Sequence, residues 1–98
     1  MILSFSIFTF NPGDEEKVKK SLDEQISFIK KQPGLIKTFL AKALDNPGKF
    51  LLYSEWESRE KYEASGDKFR NESGQQDKLE DFFNLMAEEP VFGSFKID

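Results

Sequence analysis

The 98-residue sequence contains no histidine and no cysteine, and it has a single tryptophan. Without cysteine the chain can form no disulfide, thiol nucleophile or thiolate metal site, which favours a cytoplasmic location. Without histidine it lacks Ser-His-Asp and Cys-His catalysis, histidine-bound zinc and a proximal haem ligand. It also has no phosphate-binding glycine loop, and its acidic residues do not have calcium-loop spacing. We therefore expect no metal and no bound cofactor.

Long apolar runs and an excess of positive charge are missing as well. The 18 acidic residues outnumber the 14 basic ones, giving a net charge of −4, whereas nucleic-acid binding depends on a basic face. The longest apolar stretches fall far below the ~18 residues needed to cross a bilayer. The N-terminal segment MILSFSIFTF lacks a basic region and alternates as a strand does, unlike a signal peptide. The sequence predicts a protein that binds neither nucleic acid nor membranes.

The sequence is rich in phenylalanine. Eleven phenylalanines accompany two tyrosines and one tryptophan, and such side chains bury about 150–250 Å² each when packed. A chain of this length can build one modest core. We expect a single domain spanning residues 1–98.

Periodicity and turn signals predict four strands and three helices. The strands are residues 2–10, 35–45, 50–56 and 91–98, and the first two helices are 14–32 and 58–70. Ser58 is placed to cap the second helix, and Ser73 with Gln76 fits a capping box for a third helix that ends before Pro90. The order β-α-β-β-α-α-β predicts a ferredoxin-like α+β fold, with helices on one face of an antiparallel four-stranded sheet.

Alternation along the strands gives this sheet two apolar faces. Helices can cover only one of them, so the other would present on the order of 400 Å² of apolar surface to water. We expect a homodimer whose open sheet faces pack together, unless bulges shift the alternation and leave one face more polar. On the first strand Leu3, Phe5 and Ile7 lie opposite to Ile2, Phe8 and Phe10, and on the third strand Leu51 and Tyr53 lie opposite to Phe50, Leu52 and Trp56. On the second and fourth strands, Leu35, Phe39, Val91, Phe95 and Ile97 have one parity, and Ile36, Leu40, Leu44 and Phe92 have the other.

Residues 32–69, QPGLIKTFLAKALDNPGKFLLYSEWESREKYEASGDKF, combine a Pro-Gly strand start, a short hairpin, then Glu55 and Trp56 before a helix that carries Tyr62. In this pattern the chain resembles the antibiotic-biosynthesis monooxygenase family of dimeric α+β barrels. The resemblance implies oxygenation of a small phenol or hydroquinone without metal or flavin, in which the substrate is deprotonated and its anion reduces O₂. It also implies that Trp56 and Tyr62 line the substrate pocket.

The sequence departs from the family pattern at two positions. Leu52 stands where characterised members have a pocket asparagine, four residues before the tryptophan. In the helix that follows, Ser65 stands in the stretch where many relatives carry a histidine. The haem-degrading branch of the family needs a histidine and is therefore excluded.

Trp56 and Tyr62 each allow two interpretations from their chemistry alone. Trp56 is either a pocket wall or a core plug, and Ser54 on the same strand face could accept its indole N–H. Tyr62 lies one turn after the helix cap and should meet Trp56; its phenol could orient a substrate oxygen or relay its proton, or simply pack with a hydrated hydroxyl. Ser4 and Ser6 leave room on the first strand for a ligand, or for the rings of a partner.

Glu55 should point to the face opposite Trp56, where Lys37 or Lys42 could pair with it. In a dimer, a desolvated Glu55 could serve as a general base or form an interfacial ion pair. The candidate catalytic residues are thus Tyr62 and Glu55. The candidate substrate-binding residues are Trp56, Leu52, Ser54, Phe69 and Arg70, the last either holding a phenolate or standing as a solvated helix-end cation.

Two functions remain open beside the oxygenase. One is a non-catalytic homodimer of the same fold that binds a small aromatic or apolar ligand or serves in a stress response. The other is an interaction domain with no pocket. A cavity beside Trp56 would favour the oxygenase or the ligand-binding homodimer over an interaction domain that has no pocket.

Overall fold

The computed structural model describes residues 1–72 and 75–97. One sheet contains the strands β1 (Ile2–Thr9), β2 (Leu35–Lys42), β3 (Lys49–Trp56) and β4 (Val91–Lys96), and the helices are α1 (Glu15–Lys30), α2 (Arg59–Asn71) and α3 (Gln75–Asn84). The strand order is β2-β3-β1-β4, and every neighbouring pair is antiparallel. This is the ferredoxin-like α+β arrangement that the sequence predicts. No helix within the described residues is long and apolar enough to span a bilayer.

The helices begin where the sequence places their signals. At α1, Glu15 and Glu16 occupy the first turn and Lys30 the last, which matches the helix dipole. At α2, the Ser58 hydroxyl accepts the Lys61 backbone N–H at 3.2 Å, so the predicted cap is confirmed. The predicted capping residue of the third helix, Ser73, lies outside the described residues.

The core lies between the sheet and its helices. It is built from Phe8, Phe10, Val18, Leu22, Leu52 and Phe82. Phe82 of α3 meets the Phe8 and Phe10 rings edge-on, with centroids 5.0 and 5.3 Å apart. The i, i+3, i+4, i+7 spacing of Leu79, Phe82, Phe83 and Met86 predicts one apolar stripe on this helix, and the prediction is only partly right. Phe83 remains 46% exposed, and Met86 lies beyond the helix end, where it pairs with Phe10 in an isolated bridge.

None of the helices in the described part of the chain packs on the second face of the sheet. Pairing in register brings Leu3, Phe5 and Ile7 of β1 together with Leu51 and Tyr53 of β3 on this face, as alternation predicts. We call this surface the open face; it also carries Phe39 of β2 and Val91 and Phe95 of β4. Phe95 is 55% exposed although its ring stacks on Phe5 at 6.0 Å. The chain therefore presents a row of aromatic and aliphatic side chains to its surroundings.

Two details of β2 differ from the sequence prediction. The register shifts between Leu35 and Lys37, so Leu35 pairs with Trp56 and does not share the face of Phe39. A bulge inserts one residue and reverses the alternation beyond it, which alternation alone cannot reveal. The strand also ends at Lys42 rather than residue 45, and Leu44 lies in the connection to β3, fully exposed.

Gly34 fixes the junction between β2 and α2. Its φ is +87°, and a Cβ there would lie 2.5 Å from Lys61 Cβ on the first turn of α2. Its carbonyl accepts the Glu57 backbone N–H at 2.8 Å. Glycine is thus required for both backbone conformation and close approach.

Replacing Gly34 by alanine should lower the free energy of unfolding by more than the same change at Gly13. Both residues have positive φ, which costs a non-glycine residue about 1–2 kcal/mol, but a Cβ at Gly13 meets no atom within 4 Å. Urea unfolding of Gly34→Ala and Gly13→Ala measures the difference directly. Equal losses would show that the contact with Lys61 is relieved without cost.

Candidate functional site

A cavity of about 170 Å³ opens between the sheet and helices α1 and α2. Six of the seven candidate residues from the sequence line it: Trp56, Leu52, Ser54, Tyr62, Phe69 and Arg70. The remaining lining residues are Ser4, Ser6, Gln25, Phe28, Ile29, Ser65 and Gly66. The strands supply the floor, because the lining residues of β1 and β3 alternate onto the face that the helices cover.

Trp56 forms the end wall of this cavity and is also a buried part of the fold. Only 2% of its surface is exposed, and its indole Nε1–H donates to Ser54 Oγ at 2.9 Å. The predicted neighbour Ser54 is thus the partner that the buried indole requires. The same indole ring therefore lines the cavity and fills part of the buried interior.

Tyr62 extends from the first turns of α2 over β1 and reaches β4. Its ring lies 6.1 Å from Trp56 between centroids, so the predicted meeting of the two rings is confirmed. The Tyr62 hydroxyl accepts a hydrogen bond from Ser4 Oγ at 3.4 Å and bonds Ser94 Oγ at 3.0 Å. The phenol therefore connects the cavity with the edge strand of the sheet.

Hydroxyl side chains form a row across all four strands at the level of the cavity. Ser54 of β3 pairs in register with Ser4 of β1 and with Thr38 of β2, and Ser4 pairs with Ser94 of β4. Thr38 is engaged elsewhere, donating to the Tyr53 carbonyl at 2.8 Å. Sequence analysis considered Ser54 and Ser4 but missed Ser94, because cross-strand register is needed to place it beside Tyr62.

Phe69 and Arg70 close the side and the mouth of the cavity. Phe69 of α2 meets Phe28 of α1 edge-on, with ring centroids 5.0 Å apart. The Arg70 side chain is 63% exposed and forms an ion pair with Asp67 one turn earlier on α2. Since a Cβ at Gly66 would approach the Arg70 guanidinium at 3.3 Å, a small residue at 66 leaves space for this cation at the cavity mouth.

Glu55 lies on the open face, away from the cavity, as predicted. Lys37 is directly opposite it on β2, but the Lys37 ammonium lies over the Phe39 ring, 5.6 Å from its centroid. The suggestion of Lys42 as a partner is wrong, because Lys42 pairs with Phe50 on the helix-covered face. Burial and the neighbouring Glu55 carboxylate raise the pKa of the Tyr53 phenol. Glu55 thus lies on the open face and does not line the cavity beside Trp56.

The fold and the cavity define a ferredoxin-like α+β domain with an aromatic pocket under its second helix. The chain belongs to the antibiotic biosynthesis monooxygenase family, whose model matches residues 1–67. The matched region runs from β1 into α2 and includes both Trp56 and Tyr62. No curated protein matches the chain.

Several solved structures share this fold at low sequence identity. A conserved protein from Methanosarcina mazei superimposes with a TM-score of 0.83 at 12% identity, covering 99% of this chain and 92% of that one. Rv0793 from Mycobacterium tuberculosis gives 0.78 at 16% identity, with 98% and 93% covered. SnoaB, a cofactor-independent oxygenase from Streptomyces nogalater, gives 0.77 at 14% identity, with 99% and 92% covered. These similarities extend over the whole chain, including β4.

Proposed function

We propose that this protein is a cofactor-independent monooxygenase that oxidises a small phenol or hydroquinone bound beside Trp56. The observation that carries the proposal is the cavity itself, which places the aromatic wall of Trp56, a floor of serines and Leu52, and the Tyr62 hydroxyl around one small volume. Family membership supports the same conclusion, and the structurally similar SnoaB is a cofactor-independent oxygenase.

The cavity volume limits the size of the substrate. Its volume of about 170 Å³ is close to that of engineered cavities, about 150 Å³, that accept benzene. One aromatic ring fits inside, and a second fused ring can extend toward the mouth beside Arg70. We therefore expect monocyclic or bicyclic phenols to be better substrates than larger polycyclic ones.

The reaction can be written without a cofactor. A phenol with a free ring C–H loses its hydroxyl proton, and the resulting anion transfers electrons to O₂. One oxygen atom bonds to the ring carbon, that carbon loses its hydrogen, and the other oxygen atom leaves as water. The phenol becomes a quinone, so the substrate supplies all the electrons.

The lining residues have distinct roles in this scheme. Trp56, held by Ser54, packs against the ring and fixes its plane. Leu52 and Phe69 keep water from the anion, which strengthens each remaining electrostatic interaction. Tyr62 holds the Ser4 hydroxyl beside the substrate oxygen through their hydrogen bond, and Arg70 at the mouth stabilises the developing negative charge.

Oxygen uptake with a panel of dihydroxynaphthalenes tests the proposal. Tyr62→Phe should lower kcat at least about tenfold, because the substitution removes one hydrogen bond of about 1.5 kcal/mol. The chain's other tyrosine provides a matched control. Tyr53→Phe removes the same atom from the open face and should leave the rate unchanged. Equal rates for all three proteins would show that Tyr62 takes no part.

We propose further that two copies of the chain pack their open faces together. The exposed apolar side chains of the open face, among them Val91 and Phe95, support this arrangement, since a surface of this kind commonly marks an interface. The cavity lies on the other side of the sheet, so the dimer would leave its mouth accessible.

A ligand-binding protein without catalysis is the second candidate. The observation that favours it is the lining of the cavity, in which the described residues include no carboxylate and no amine. Such a protein would bind the same phenols, and bound ligand would quench the fluorescence of Trp56, the only tryptophan. Quenching without oxygen uptake would select this function over the oxygenase.

A further inference from the structure

Ionising a phenol in the cavity requires a route for its proton. Among the described lining residues, the only ionisable side chains are Tyr62 and Arg70. An arginine side chain has donors only and cannot accept a proton, and a neutral phenol is a poor base. If the proposed function holds, the proton must leave through neutral groups that each accept one proton while they release another.

Three hydroxyl groups form such a connection from the cavity to the surface. Ser4 Oγ lines the cavity and donates to Tyr62 Oη at 3.4 Å, and Tyr62 Oη lies 3.0 Å from Ser94 Oγ. Ser94 is exposed on β4, the outer strand of the sheet. Because Ser4 already donates to Tyr62, the phenol hydrogen is free to point at Ser94, and both hydrogen bonds can run outward.

We propose that Ser4, Tyr62 and Ser94 form a proton exit path that carries the substrate's phenolic proton from the cavity to solvent. The proposal rests on the proposed oxygenase function and assigns a role to Ser4 and Ser94 in it. The substrate O–H bond breaks as its proton passes to Ser4, whose own proton passes to Tyr62. Tyr62 in turn passes its proton to Ser94, and Ser94 releases one to water. Each hydroxyl ends with the hydrogen count it began with, and the substrate is left as the anion that reduces O₂.

The neighbouring hydroxyls do not offer the same route. Ser54 Oγ already accepts the Trp56 indole N–H, and Thr38 donates to a backbone carbonyl. The 3.4 Å separation between Ser4 and Tyr62 is longer than an ordinary hydroxyl hydrogen bond of about 2.7–2.8 Å. Such distances commonly shorten when the substrate is bound. Ser94 also faces away from the open face, so the proposed dimer leaves this exit uncovered.

Ser94→Ala tests the path because Ser94 does not line the cavity and its removal should leave substrate binding intact. With a neutral dihydroxynaphthalene, kcat should fall about tenfold or more, since groups that transfer a proton contribute about 10²–10⁴-fold and part of this can be replaced by water, while KM stays close to its wild-type value. Ser94→Thr keeps the hydroxyl and should retain most of the rate. Small buffer bases should restore activity to Ser94→Ala, since they can accept the proton from Tyr62 directly.

Substrate acidity supplies a second measurement that a structural role of Ser94 would not affect. A halogenated dihydroxynaphthalene that is already ionised in the assay has no proton to export, so Ser94→Ala should oxidise it at the wild-type rate. A Ser94→Ala rate equal to wild type on the neutral substrate would overturn the path and leave the oxygenase standing. A comparable deficit on both substrates would also overturn it. A wild-type protein that consumes no oxygen with any phenol would overturn the path and the proposed function together.

Discussion

Replacing Trp56 by alanine should lower the free energy of unfolding by about 3–5 kcal/mol, the range observed when a buried tryptophan or phenylalanine is truncated. The ring is 2% exposed, meets Tyr62 and is tied to Ser54 by its indole N–H. The truncation would leave a void beside the existing cavity and leave Ser54 without its partner. Since small domains are stable by only about 5–15 kcal/mol, this is a large fraction of the total.

Trp56→Phe is the matched control, because it keeps an aromatic ring and loses only the indole N–H and part of the volume. Its stability should lie between those of wild type and Trp56→Ala. Urea unfolding followed by far-UV circular dichroism measures all three, since both variants lack the only tryptophan and cannot be followed by its fluorescence. A loss below about 1 kcal/mol for Trp56→Ala would contradict the view that the ring is part of the core.

Ile7→Lys should convert the proposed dimer into a monomer of 11.4 kDa without unfolding the chain. Ile7 lies on the open face of β1, an inner strand of the sheet, and pairs with Leu51 and Val91. Covering two faces of roughly 400 Å² each would contribute about 20 kcal/mol, which exceeds the estimated association cost of about 4–15 kcal/mol. A buried unpaired ammonium costs about 3 kcal/mol or more, so two symmetric copies should weaken the dimer by well over a hundredfold.

Leu44→Lys provides the control for this experiment. Leu44 is fully exposed in the connection between β2 and β3, so the same substitution there adds charge without touching the open face. Sedimentation at micromolar concentration should show twice the chain mass for wild type and Leu44→Lys, and the chain mass for Ile7→Lys. If wild type itself sediments as a monomer, the open face has another function.

The order and type of the elements could be predicted from the sequence because the signals are local. The Pro-Gly turn at residues 33–34, the Ser58 cap and the alternation along β1 each act within a few residues. The bulge after Leu35 could not be predicted, because it depends on how β2 pairs with β3. The end of β2 was placed too late for a similar reason: Ala41 and Leu44 look equally suited to a strand until the pairing with β3 stops.

Local spacing also accounts for what could be predicted of the site. Two residues along a strand bring Ser54 and Trp56 to one face, and one turn into α2 brings Tyr62 back over it. The contact between Tyr62 and Ser94 spans 32 residues and depends on the register between β1 and β4. No local pattern indicates such a contact, so Ser94 was missed although it completes the only hydroxyl link from the described cavity residues to β4.

Reaction of the protein with a dihydroxynaphthalene under ¹⁸O₂ tests the central claim most directly. The account predicts a hydroxynaphthoquinone that carries one ¹⁸O atom, with the second ¹⁸O atom in water and no hydrogen peroxide released. A quinone without ¹⁸O, formed together with an equal amount of hydrogen peroxide, would contradict the account, because it would show electron transfer to O₂ without insertion of oxygen.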